Sequence, residues 1–326
     1  MDQAAPLVTP VLTMGPGEGA ACARSLHAVL GQGFERVVLV DHGAREADRL
    51  VLPADPRLRH LRMARASRAT ARNRGLAHAG GAWLWMLAPG DRPAPYAMAA
   101  LIRLVGEAET PGGTADVLFM PGVQQTKAGG VEPLSQSVFD SLVWGGPVDL
   151  LRTALALLPP AAPMRLLRAG FVARAGLRFA DDLGGGALPL ATGALLEADQ
   201  LALADLPLFC RDAPAALHPA DVMAAAAAAG RALALLGANR LRNEPALRLA
   251  LLGGIGHHLA QQGLALAKPE RQGFHQLLTV ILRRAPAPVH WTLESAAPEA
   301  DPVLMWRAPW LAESIAFLRE RLNDGE

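Results

Sequence analysis

The chain has 326 residues, 51% of them hydrophobic and 19% charged, which supports a sizeable core and argues against a disordered chain. Its 31 Lys and Arg nearly cancel its 30 Asp and Glu, so it lacks the concentrated basic surface that a duplex nucleic-acid binder needs. Its two cysteines, Cys22 and Cys210, fall in no CxxC or Cys/His spacing, which speaks against a zinc site or a disulfide framework.

In chain order, the first 120 residues alternate strand and helix signals. A short apolar run at 10–14 closes on Gly15-Pro16-Gly17, and residues 18–31 place Ala21, Leu26, Val29 and Leu30 at helical spacing. Residues 36–41 read as a buried strand ending on Asp41, and 58–63 as a weaker strand. Ser67 is placed to cap a helix that runs to about Ala79 and stops at Gly80-Gly81. Residues 82–87, AWLWML, are wholly apolar, as a strand covered on both faces should be. A helix over 95–105 and a strand over 115–120 follow. This alternation predicts βαβ units and an α/β fold with a mainly parallel sheet flanked by helices.

The middle is less regular. Residues 125–133 read as a hairpin or loop, 147–158 as a helix and 164–186 as short mixed elements. Residues 202–211 form one strand-like run with Pro207 inside, the mark of an edge. From about Ala220 the chain turns helical and Ala/Leu-rich over 220–264 and 270–284, then runs through a Pro-rich connector at 285–302 into a last amphipathic helix at 307–322. The expected division is an α/β domain over 1–215 and a helical C-terminal region over 216–326. The N-terminus has no basic start followed by an apolar run, so no signal peptide is expected. The apolar stretch around 223–238 is cut by Gly230 and Arg231 and falls short of the roughly 20 residues a membrane span requires. The expectation is a cytoplasmic protein with no transmembrane segment, with peripheral contact to the inner face of a membrane left open.

Several short motifs occur in a telling order. The first helix ends VLGQGF (29–34), and the second strand ends VLVDHGA (38–44). Ala71-Arg72-Asn73-Arg74-Gly75 opens a helix, and a glycine turn, a strand and Ala88-Pro89-Gly90-Asp91 follow. MRLLRAGFVARAGLRF (164–179) and LALADLPLFCRD (201–212) come later. In this order and spacing, residues 7–212 resemble the nucleotide-sugar-binding part of family 2 glycosyltransferases, which have the GT-A fold. The resemblance implies sugar transfer from a nucleotide-diphospho-sugar donor to a glycan or surface-polysaccharide hydroxyl, with Mg2+ or Mn2+ as cofactor. It departs from the family pattern where the chemistry lies. Two of the usual acids of the Asp-x-Asp loop are Ala88 and Gly90, His42 replaces a second acid after Asp41, and glycines 184–186 stand about where a Glu-Asp pair is usual. A catalytically degenerate protein that serves as a binding or assembly partner is therefore the alternative.

The candidate residues follow from that frame. Thr13, Asp41, Arg72, Asn73 and Asp91 are the nucleotide-binding candidates. Asp41 ends a parallel strand, where such sheets bind ligands, and Arg72 carries a fork suited to phosphate. Asp91 is also the metal candidate, because Mg2+ often takes one or two protein carboxylates plus substrate phosphates. Asp181 and Asp182 are the nearby carboxylates for a general base; the competing reading is a solvated turn. Glycines 15, 17 and 19 have the wrong offsets for a dinucleotide turn, and glycines 184–186 lack the Lys-Ser/Thr of a phosphate loop. His257 and His258 point about 100° apart on a helix and do not converge on a metal. Trp83 and Trp85 share a strand face and read as core; Trp306 and Trp310, four apart on the last helix, read as its anchors.

Overall fold

The computed structural model describes residues 7–43, 50–64, 66–110, 113–134, 138–140, 148–180, 186–213, 219–237, 244–298 and 302–324. It contains two compact units, the first built from 1–134, 162–182 and 197–214, the second from 135–161, 183–196 and 215–326. The expected single cut at residue 215 leaves out the two internal segments, 135–161 and 183–196, that belong to the second unit.

The first unit holds a seven-stranded sheet. Its elements are β1 (Val8–Met14), α1 (Gly19–Gly31), β2 (Val37–Asp41), β3 (Leu58–Arg62), α2 (Arg68–Ala79), β4 (Trp83–Leu87), β5 (Asp91–Pro93) and α3 (Ala97–Ala108). There follow a two-residue pairing of β6 (Glu109–Thr110) with β7 (Gly113–Thr114), then β8 (Val117–Phe119), β9 (Gly122–Gln125) and β10 (Val131–Leu134). Later segments add β11 (Arg165–Arg168), α5 (Ala169–Arg174), β12 (Leu201–Leu203) and β13 (Phe209–Arg211). The large sheet has the order β12-β8-β11-β4-β1-β2-β3, and only β11 runs against its neighbours. A smaller sheet has the order β10-β9-β13-β5. The strand-like run at 202–211 is thus two strands in two sheets: Pro207 and its neighbours turn the chain, sending β12 to the large sheet and β13 to the small one.

Both faces of the central strands are covered, so β1, β2 and β4 are buried along their whole lengths, as parallel strands between helices must be. Trp83 and Trp85 belong to this core, and the Trp85 indole donates to Pro163 O at 3.0 Å. Helix α2 begins where Ser67 Oγ accepts from Thr70 N at 3.0 Å, capping an orphan amide. Gly75 lets it lie flat on β1, since a Cβ there would overlap Val11 Cγ1. At the far side of the sheet Asp116 is a buried hub. It accepts from Arg168 at 2.5 Å, from Arg174 at 3.1 Å and from Asp199 N at 2.9 Å, tying together the ends of β8, β11 and β12.

The second unit is helical: α4 (Val148–Leu155), α6 (Leu188–Glu197, whose last residue belongs to the first unit), α7 (Pro219–Leu235), α8 (Pro245–Leu264), α9 (Lys268–Arg283), α10 (Ala287–Ser295), α11 (Pro302–Arg307) and α12 (Leu311–Asn323). The Pro-rich connector contains α10, because Pro288 sits in its first turn, where no amide hydrogen is needed. Glycines 253 and 256 let α8 and α12 approach: a Cβ at Gly253 would overlap Leu311, and one at Gly256 would lie 2.8 Å from Ser314 O. The expected last helix is two helices. Trp310 precedes α12 and stacks on His257 at 4.1 Å, whereas Trp306 on α11 is 69% exposed. Among the described residues no helix is long and apolar enough to cross a membrane.

Candidate functional site

The strand order reverses at β1, which pairs with β2 on one side and β4 on the other. In open α/β sheets ligands bind outside the carboxyl ends of strands at such a switch point. Here Met14 at the end of β1 lies level with Asp41 at the end of β2. The loop after β4, Ala88 to Gly90, leads into β5.

Asp41 is buried at 7% exposure. His42, which follows it, is also buried and sets one wall: its Nδ1 lies 3.2 Å from Ala66 O, so Nδ1 carries the hydrogen and Nε2 the lone pair. Burial lowers the His42 pKa, and the nearby Arg68 and Arg72 charges add to that effect, so the ring is neutral at pH 7. A side chain at Gly15 would press on this ring, its Cβ 3.0 Å from Cε1. The Gly15 amide instead donates to Glu18 Oε2 at 2.7 Å, and Glu18 Oε1 accepts from Arg68 at 2.7 Å.

Arg72 and Asn73, on adjacent positions of α2, face one another's partner. The Asn73 amide makes a two-way pair with the backbone of Phe179, accepting from its N–H and donating to its carbonyl, both at 2.9 Å. The Phe179 ring then lies 5.0 Å beneath the Arg72 guanidinium. Arg72 is 8% exposed, and burial lowers its pKa to about 10. The Arg68 and Arg211 charges push the same way, while Asp91 and Glu18 oppose them. Asn73, a nucleotide candidate by sequence, therefore holds the segment that carries Phe179. Asp181 and Asp182 follow Phe179 by two and three positions in the sequence and lie outside the described residues.

Asp91 is 1% exposed. Its Oδ1 accepts from Arg211 Nε at 2.8 Å and its Oδ2 from Ala88 N at 2.8 Å. Asp212 is paired as closely, with Arg24 Nη2 at 2.6 Å and Arg92 Nη2 at 2.9 Å. The expectation that Asp91 ligates Mg2+ or Mn2+ does not fit this donor set. Both Asp91 oxygens already accept from the protein, positions 88 and 90 carry no acid, and among the described residues no three His, Cys, Asp or Glu side chains gather as a metal site. Thr13, on β1, is 1% exposed, and its hydroxyl has no hydrogen-bond partner among the described residues.

Arg72 stands within electrostatic reach of Asp91, Glu18, Arg68 and Arg211, and Asp41 ends β2 level with Met14. Arg211 and Glu18 were missed in the sequence. Arg211 had a signal, since it lies in LALADLPLFCRD (201–212), one of the segments that carry the resemblance; Glu18 had none beyond its place after a Gly-Pro-Gly turn. In the second unit His257 and His258 are both half-buried, and burial lowers the His258 pKa to about 4.

This architecture is shared with solved glycosyltransferases. The 1–349 part of S. aureus TarS, a GT-A glycosyltransferase in complex with UDP, matches with a TM-score of 0.62 at 13% identity, over 98% of this chain and 92% of that one. The same part in complex with UDP-GlcNAc matches at 0.60 with 15% identity, over 97% and 90%. The mannosyltransferase PcManGT from Pyrobaculum calidifontis, in complex with GDP-Man and Mn2+, matches at 0.53 with 18% identity, over 99% and 88%. No family model and no curated protein matches the sequence. The chain has a GT-A-like fold, a mainly parallel mixed sheet flanked by helices.

Proposed function

We propose that the chain is a glycosyltransferase that moves a sugar from a nucleotide-diphospho-sugar to a hydroxyl of a glycan or surface polysaccharide. The observations that support this best are the closeness of Arg72 to the Asp91–Arg211 pair and the position of Asp41 at the carboxyl end of β2, in a fold whose solved examples hold UDP-GlcNAc or GDP-Man. Asp41 accepts a hydrogen bond from a ribose hydroxyl or a base N–H. Arg72 faces the diphosphate, whose charge must be neutralised as it leaves. The acceptor hydroxyl loses its proton to Asp181 or Asp182 as its oxygen bonds the anomeric carbon and the bond from that carbon to the diphosphate oxygen breaks. A positioned base of this kind contributes roughly 10²–10⁴-fold. Asn73, by gripping Phe179, is a positioning residue for that acid segment.

Calorimetric titration with UDP and GDP tests the donor class. Saturable binding that weakens about tenfold in Asp41→Asn is expected, the equivalent of one strong hydrogen bond. Absence of saturation by either nucleotide at millimolar concentration would contradict the reading. The Asp91–Arg211 ion pair also favours a second reading, a nucleotide-binding scaffold without turnover, which detection of sugar transfer from any donor would end.

A further inference from the structure

We propose that this cleft neutralises the diphosphate of its ligand with guanidinium groups, Arg211 foremost, and uses no divalent cation there. The inference rests on the nucleotide-diphosphate reading above and specifies how that site meets its charge.

A cation site needs carboxylate oxygens that point at an open position. In the two acids nearest the loop after β4 each oxygen is instead turned to a protein donor. Asp91 presents one oxygen to Arg211 Nε and the other to Ala88 N, and Asp212 divides its oxygens between Arg24 and Arg92. The backbone opposes restoring an acid at position 90: Gly90 has φ +93°, and a Cβ there would stand 3.2 Å from the Asp212 side chain. Coordination by Asp91 would compete with its ion pair to Arg211.

Arg211 is built the other way round. Asp91 holds it by Nε alone, and its two terminal nitrogens take no hydrogen bond among the described residues while the side chain is 29% exposed. A guanidinium fixed at its root and open at its fork matches two phosphate oxygens at once. Arg72 stands within electrostatic reach of both Arg211 and Arg68, and its pKa is lowered by burial first and by those two charges after it. Such a cluster gains most from an anion of more than one charge, which a diphosphate supplies and a monophosphate supplies less.

The test is calorimetric titration of UDP, GDP and UMP in excess EDTA and again with Mg2+ or Mn2+. The wild type is compared with the paired variant D91N/R211Q, which removes both charges yet keeps a side-chain hydrogen bond between the two positions. The expected result is diphosphate affinity that agrees within about twofold with and without cation, and that falls about tenfold or more in the paired variant while UMP affinity barely moves. A merely structural role for Arg211 would lower UDP and UMP binding alike, and that outcome overturns the inference. So does a tenfold loss of wild-type UDP and GDP affinity in EDTA, which leaves the donor reading standing. Equal UDP and GDP binding by wild type and variant also overturns it. Failure of any nucleotide to bind under either condition overturns the inference and the donor reading together.

Discussion

Asn73 shows how much one side chain of the cleft carries. Its amide satisfies both backbone groups of Phe179, so Asn73→Ala leaves a half-buried N–H and C=O without those partners. A loss of about 2 kcal/mol is expected in a urea unfolding curve, together with a fall in kcat larger than the rise in KM if the acid segment is displaced. An unchanged unfolding midpoint would contradict the geometry. The residues legible in the sequence were those that lie on regular elements at fixed offsets: Asp41 at a strand end, Arg72 and Asn73 in the first half of a helix. What the sequence did not reveal was partnership. That Asp91 is engaged on both oxygens depends on β13 pairing with β5, a contact between residues 120 positions apart that no local pattern encodes.

Helix α2 carries Arg72 and Asn73, and its placement rests on two features, a cap at its start and a glycine in its interior. Ser67→Ala removes the cap that Thr70 N uses and is expected to cost about 1 kcal/mol. Gly75→Ala forces α2 away from Val11, and about 1–3 kcal/mol is expected from such overpacking. Because the shift also moves Arg72, nucleotide affinity should fall with stability in Gly75→Ala but much less in Ser67→Ala; equal losses of affinity in the two would contradict this placement. The strands and helices of the first 120 residues were readable because hydrophobic period and caps agree there, from the fully apolar run of β4 to Ser67 and Gly80 around α2. The elements misjudged were those where proline has two meanings. Pro207 separates β12 from β13 rather than marking one edge strand, and Pro288 starts α10 rather than breaking a helix. The break at 308–310, with no strong breaker beyond Pro309, parts Trp306 from Trp310.

Over the whole molecule, acid sensitivity should come from histidines. His42, His60, His257, His258 and His275 all have pKa values lowered chiefly by burial. A lowered value means that the unfolded chain takes the proton first. The stabilisation is therefore complete above the ordinary histidine value near 6.5 and is lost as pH falls toward the folded value, about 4 for His258. Between pH 7.5 and 5 a stability loss of about 2 kcal/mol is expected from His258 alone, and His258→Gln should flatten that slope; a slope unchanged by the substitution would show that His258 does not carry it. The account as a whole stands most directly on turnover. Release of nucleoside diphosphate from a panel of UDP- and GDP-sugars, followed in wild type and in Arg72→Met with an oligosaccharide acceptor mixture, measures it. The result expected is release from at least one donor above the buffer rate, lost in Arg72→Met. Release from no donor, or release that Arg72→Met leaves intact, would contradict the transferase reading of this cleft.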